Sequence, residues 1–124
     1  MNKTNPVGWF EIYVSDMERA KAFYQDTFHT TLAQLESPDL EIWAFPMDME
    51  NRGSAGALVK MADKDPGCGG TIIYFTCDDC AIEAGRAVGN GGRIHLEKRS
   101  IGRYGFIALI HDTEGNMIGL HSMK

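Results

Sequence analysis

Two polar side chains stand where apolar ones would be expected. Glu11 lies in the alternating run Val7 to Val14, between Trp9 and Tyr13. His121 lies in the mostly apolar run Met117 to Met123. Period-two alternation puts Trp9, Glu11 and Tyr13 on one strand face and Phe10, Ile12 and Val14 on the other. A solvent-facing glutamate is the ordinary explanation, but its large aromatic neighbours favour a covered face. A carboxylate and an imidazole on covered faces can anchor a ligand, bond to each other, or move protons beside a phenol such as Tyr74. Lys98, just before the Ile101-Gly102 loop, can attract an anionic ligand, although a solvated lysine is commoner. His29, His95 and His111 read as exposed or structural histidines.

The three cysteines are Cys68, Cys77 and Cys80. An odd count suggests reduced thiols. Cys77-Asp78-Asp79-Cys80 has the spacing of a redox pair at a strand-to-helix junction. The two aspartates between the thiols would raise a thiol pKa, and zinc would need a second pair. Structural cysteines are the preferred reading.

These groups must be positioned by the elements around them. Val7 to Val14 reads as a strand. Ser15-Asp16-Met17-Glu18 is a capping-box pattern with Ser15 as the cap. The helix then runs to about Phe28, with Met17, Ala20, Tyr24 and Phe28 as its buried stripe, and His29 follows at the cap. Strands are expected over Thr30 to Glu36, Leu40 to Phe45 and Ala55 to Met61, with a polar loop from Asp48 to Ser54. Asp63 to Gly70 reads as a linker. Thr71 to Cys77 is the next strand, with Ile72, Tyr74 and Thr76 on one face. Asp78 or Asp79 caps a helix to about Val88, with Ala81, Ala84 and Val88 buried. Strands follow over Arg93 to Lys98, Arg103 to His111 and Met117 to Met123. Asp112 to Asn116 is the turn of a terminal hairpin.

The order repeats. At an offset of 63 positions Asp79 falls on Asp16, Tyr74 on Glu11, Ile72 on Trp9, Gly119 on Gly56, Leu120 on Ala57 and Phe106 on Trp43. The expected fold is α+β: two βαβββ repeats, about 7–61 and 71–123, side by side in a cupped mixed sheet with helices outside. One domain spans 1–124. The cup would be lined by Trp9, Glu11, Tyr13, Leu58, Ile72, Tyr74, Gly119 and His121. Open edges of small sheets need cover, so a homodimer is expected.

Composition narrows the partners. The 124 residues are 44% apolar and 23% charged, with a net charge of −5. No basic cluster exceeds Lys98-Arg99, which argues against nucleic acid. No apolar run is long enough for a bilayer. The start, Met1 to Val7, lacks an apolar signal core, so a cytoplasmic location is the default expectation.

The front segment Phe10-Glu11-Ile12-Tyr13-Val14-Ser15-Asp16-Met17-Glu18-Arg19-Ala20-Lys21-Ala22-Phe23-Tyr24 resembles the vicinal oxygen chelate superfamily. So do Ile101-Gly102-Arg103-Tyr104-Gly105-Phe106-Ile107-Ala108 and Asp112-Thr113-Glu114-Gly115-Asn116-Met117-Ile118-Gly119-Leu120-His121-Ser122. Glyoxalase I, bleomycin-resistance proteins and extradiol dioxygenases are members, and this chain is most similar to small bacterial glyoxalase-like proteins. The resemblance implies a divalent metal held by side chains of the first and last strands of each repeat. Its ligands would stand seven residues before each helix-start aspartate, at Trp9 and Ile72, and at Gly119 and its counterpart Gly56. None of these side chains can ligate. Glu11 and His121, each two residues further along, are the remaining metal candidates, and two ligands seldom hold an ion firmly. A divalent metal is therefore possible without being tightly bound.

Two functions follow. One is a glyoxalase-type lyase or isomerase with a degenerate metal site, using Glu11, His121 and Tyr74. The other is a non-catalytic protein of the bleomycin-resistance type, which sequesters a small molecule against Trp9, Tyr13, Leu58, Ile72 and Lys98.

Overall fold

The computed structural model describes residues 4–51 and 53–124. Residues 1–3 of the polar start read over Met1 to Val7, and Arg52 of the 48–54 loop, lie outside them. The elements are β1 (Val7–Tyr13), α1 (Met17–Phe28), β2 (Ala33–Leu35), β3 (Glu41–Ala44), β4 (Ala55–Lys60), β5 (Thr71–Thr76), α2 (Cys80–Gly89), β6 (Arg93–Ser100), β7 (Phe106–His111) and β8 (Met117–Ser122), with a 3-10 turn at Gly102–Tyr104. Parallel and antiparallel pairs occur together, and the fold is α+β with the βαβββ order twice. The chain divides into two compact units: Trp9–Thr71, and Ile72–Lys124 with the residues before Trp9.

In the first unit the strand order is β2-β3-β4-β1. The pair β1–β4 is parallel; β2–β3 and β3–β4 are antiparallel. Asp16 caps α1, accepting from the Arg19 amide at 3.1 Å. It takes the role expected of Ser15, because its carboxylate sits one residue nearer the first turn. His29 ends the helix in the left-handed region at φ 51, a conformation costly for most residues other than glycine. The core is Val14, Met17, Leu32 and Leu58, with Ile12, Ala20, Tyr24, Trp43 and Phe45 against it. Met17, Ala20 and Tyr24 follow the expected stripe. Phe28 does not: it is 63% exposed at the last turn.

In the second unit the order is β5-β8-β7-β6, with β5–β8 parallel and the other pairs antiparallel. Asp79 caps α2. The helix buries Cys80, Ala84 and Ala87 against Cys77, Ala108, Ile110 and Leu120. The expected Ala81 and Val88 point outward instead; Val88 is half exposed. The buried stripe starts one position earlier, at the thiol that follows the cap. The strand expected from Arg103 begins only at Phe106, because the 3-10 turn and Gly105, at φ 102, redirect the backbone first. The terminal hairpin is as expected. Asp112 accepts from the amides of Glu114 and Asn116, and Gly115 supplies φ 85.

The two units superpose in register only in part. Phe10, Ile12 and Val14 alternate toward the helix side as Ile73, Phe75 and Cys77 do, which keeps the offset of 63. Ile12 pairs with Leu58, however, and its counterpart Phe75 pairs with Leu120. The last strands therefore match at an offset of 62, Leu58 to Leu120. Gly119 corresponds to Ala57, not Gly56; His121 corresponds to Val59. Trp43 pairs with Leu58 and Ala108 with Leu120, so Trp43 matches Ala108 rather than Phe106.

Candidate ligand-binding faces

In the first unit, β1 brings Trp9, Glu11 and Tyr13 to the face opposite α1. The indole Nε1 donates to Glu11 Oε2 at 3.2 Å, and the Tyr13 hydroxyl donates to Glu11 Oε1 at 2.7 Å. The carboxylate is thus oriented by its two aromatic neighbours on the same strand. Tyr13 is buried. Burial, then the Glu11 charge and the hydrogen bond to it, push its phenol well above the usual range, so it remains a donor. The strand beside this face contributes Ala55, Ala57 and Val59 through the β1–β4 register.

Leu58 is not on this face. It is fully buried in the helix-side core with Val14 and Met17. The expectation that it lines the site fails because its Cα partner on β1 is Ile12, and partners point the same way. Burying such a leucine contributes about 1.5–3 kcal/mol to stability. Trp43 also belongs to the helix side. Its indole donates to Glu41, and the Lys21 ammonium lies 3.4 Å from its ring centroid.

In the second unit, Ile72 and Tyr74 are buried on the face of β5 opposite α2, at 2% and 5% exposure. Parallel pairing sets Tyr74 beside Gly119 and Thr76 beside His121. The Tyr74 ring lies over Gly119: a Cβ there would meet it at 2.3 Å. His121 Nε2 is 2.6 Å from the Tyr104 carbonyl oxygen. A carbonyl only accepts, so Nε2 carries the proton, and in the neutral ring Nδ1 holds the lone pair. His121 thereby ties the 3-10 turn to β8.

Lys98 does not stand ready for an anion. Its ammonium bonds Asp79 at 2.9 Å and lies 4.7 Å from the Phe106 ring centroid. The same contact and the Ala81 amide hold the Asp79 carboxyl below the usual range. This lysine joins β6 to the start of α2. Cys77 and Cys80 are buried, and Cys68 is exposed. Burial first, then the Glu83 carboxylate, push the Cys77 thiol up to about 11, away from the reactive thiolate of a redox pair. Two contacts escaped the sequence reading. Lys64 stands 5.8 Å over the Tyr13 ring centroid, and the Tyr104 carbonyl engages His121. Both come from loops without periodicity, so no pattern announced them.

The βαβββ units and the faces of β1 and β5 call for comparison with known families. A sequence profile described as the Glyoxalase/Bleomycin resistance protein/Dioxygenase superfamily matches residues 7–120. The chain belongs to this superfamily. Solved structures agree on the fold. Methylmalonyl-CoA epimerase from Mycobacterium tuberculosis aligns at 18% identity and a TM-score of 0.71, covering 100% of this chain and 93% of that one. The Streptomyces coelicolor epimerase in complex with 2-nitronate-propionyl-CoA aligns at 16% and 0.69, covering 97% and 95%. A hypothetical protein from Bacillus halodurans aligns at 16% and 0.73, covering 98% and 96%. A comparison with curated protein sequences finds no match.

The superfamily's metal positions can be tested against the register. They hold Trp9, Ile72, Ala57 and Gly119, with Ala57 replacing Gly56 as the first-unit position. Ile72 is buried, and the Tyr74 ring fills the space a ligand at 119 would need. These residues do not fit a metal. Among the described residues no three His, Cys, Asp or Glu side chains are grouped so as to hold one. No helix among them is long and apolar enough to cross a membrane.

Proposed function

We propose that this protein binds a small organic molecule at a strand face opposite a helix, that of β1 in one unit or that of β5 in the other, without a firmly held divalent ion. The observation that carries the reading is the packing of Tyr74 on Gly119, which occupies the place of a ligand side chain. Trp9, Glu11 and Tyr13 in one unit, and Ile72 and Tyr74 in the other, each join apolar side chains to a few polar groups, as small-molecule sites generally do. The chain 1–124 acts as one domain and works as a cytoplasmic homodimer. Sedimentation at micromolar concentration that shows only a monomer would remove the dimer.

The test is a metal assay beside a ligand screen. Purified protein should carry substoichiometric metal, and added Ni²⁺ or Zn²⁺ should give little conversion of the methylglyoxal–glutathione adduct. Small aromatic ligands should change Trp9 fluorescence, and Trp9→Phe should remove the change. Trp43 sits against the helix-side core and serves as the unresponsive control. One tightly bound ion per chain would overturn the reading.

A lyase or isomerase is the second reading, supported by the oriented Glu11 carboxylate and the single tautomer of His121. The likeness to methylmalonyl-CoA epimerases makes acyl thioesters the first substrates to try. Any turnover should fall at least a hundredfold in Glu11→Gln or His121→Ala, on the order of a lost general acid or base.

A further inference from the structure

Two histidines that the proposed function leaves unused meet at the edge of the second unit. His95 is on β6, the last strand in the order β5-β8-β7-β6, and His111 ends β7 beside it. Ile94 and Ile110, their chain neighbours, pack toward α2, so alternation sends His111 to the opposite face. The ladder slips at His95. Arg93 pairs with His111 and Ile94 with Ile110, but the next pair is Leu96 with Leu109. His95 is the extra residue of a bulge, a device that re-aims a side chain. Here it is aimed at His111: the two rings meet edge to face, with centroids 5.3 Å apart. His95 is exposed. His111 Nδ1 is buried and has no hydrogen-bond partner among the described residues. A buried polar atom without a partner is uncommon in a folded chain, and a bound ion is one of the things that explain it.

We propose that His95 and His111 form a two-imidazole site for a divalent transition ion of the Ni²⁺, Cu²⁺ or Zn²⁺ class, with water completing its coordination. Two imidazoles that share a tetrahedral ion at about 2.0–2.1 Å from each nitrogen set their ring centroids about 5 Å apart. The observed spacing already meets that requirement. Neutral imidazole suits these ions, whereas Mg²⁺ and Ca²⁺ need oxygen ligands. Arg93, the ladder partner of His111, brings a positive charge to the same face, so the ion is held by coordination and not by net attraction. β7 holds His111 in place, and the exposed His95 turns about its own side-chain bonds to admit the ion. With only two protein ligands the ion exchanges readily. It differs in this from the firmly held ion that the binding reading excludes, and its strands are not those of the β1 and β5 faces.

The experiment titrates the whole chain with Ni²⁺ in a non-ligating buffer, followed by calorimetry and by NMR of the histidine ring protons. Binding should saturate at one equivalent. The signals of His95 and His111 should broaden before those of His29 and His121, and Mg²⁺ should not compete. His95→Ala, at an exposed position, keeps the fold and should weaken Ni²⁺ at least about tenfold, the lower end of what losing even an outer partner of a metal ligand costs. His111→Gln should weaken it as much; if that variant is unstable, the His95→Ala result decides. No saturable Ni²⁺ binding, an affinity unchanged in His95→Ala, or first broadening at His29 or His121 would each overturn the proposal. Each of those results leaves the binding reading standing, because that reading is tested by Trp9 fluorescence and by metal retained through purification.

Discussion

The last strand of each unit carries a glycine under an aromatic ring, and the two glycines serve opposite faces. Gly56 pairs with Phe10, and a Cβ there would meet the Phe10 ring at 2.4 Å. Phe10 packs on Phe45, toward α1. Gly119 pairs with Tyr74, which alternates with the helix-side Phe75 and so points away from α2. One unit thins its backbone to seat an aromatic residue in the core. The other does so to seat one on the candidate ligand face. The lesson is that a shared glycine marks a close approach, and that the register decides what approaches. A slip of one residue moves a strand's whole set of side chains to the other face.

The largest test of that comparison is its pairing of Leu58 with Leu120. Both are buried against their own helix, at 0% and 5% exposure. Leu58→Ala and Leu120→Ala should each cost about 2–5 kcal/mol in urea unfolding. A small loss in either would break their equivalence and favour the alignment of Gly119 with Gly56 instead. The next effect is overpacking. Gly119→Ala should lose about 1–3 kcal/mol, and most of that loss should vanish in a Tyr74→Ala background. Independent, additive losses would show that the ring is not what the glycine accommodates.

The thiols sharpen the contrast between loop and core. With thiol reagent at pH 8, Cys68 should react in the native state, and Cys77 and Cys80 only after denaturation. The Cys77 thiol is raised to about 11, so its contribution to stability is complete below the ordinary cysteine range and is lost as pH climbs toward that value. Rapid native labelling of all three would return the pair to redox chemistry. The smallest effect is at the α2 cap. Asp79 is held low by Lys98, so its share of stability is present above the ordinary aspartate range and fades as pH falls through the depressed value. Asp79→Asn should therefore lower the melting midpoint modestly at neutral pH, with the difference closing in strong acid. A constant difference would mean that the bridge contributes nothing.

Much of this was legible in the residues. Alternation in β1 separated Trp9, Glu11 and Tyr13 from Phe10, Ile12 and Val14, and the structure keeps that division. The Glu114-Gly115-Asn116 turn declared its hairpin because its backbone demands are local. What stayed hidden was set by distant neighbours. Nothing near Leu58 says that Ile12 will be its partner. Lys98 gives no sign of Asp79, on another element, and Lys64 none of the Tyr13 ring. Ser15 and Asp16 are both good caps, and only the path of the chain chose between them. In α2 the cysteine took the first buried place because a thiol packs like a small apolar group.

The β7–β8 hairpin also bears on the order in which the chain folds. Its pairs run from His111 with Met117 out to Phe106 with Ser122, all within one short stretch. Asp112 closes the turn through side-chain bonds that need no other element. Such hairpins close in about 1–10 μs. The β1–β4 pairing must first bring Phe10 to Gly56 across α1 and two strands, and each doubling of an intervening loop costs about 0.6 kcal/mol of closure entropy. The β7–β8 hairpin is therefore expected to organise before the β1–β4 pair, and the Glu11 face takes shape only when the slower, long-range pairing is complete.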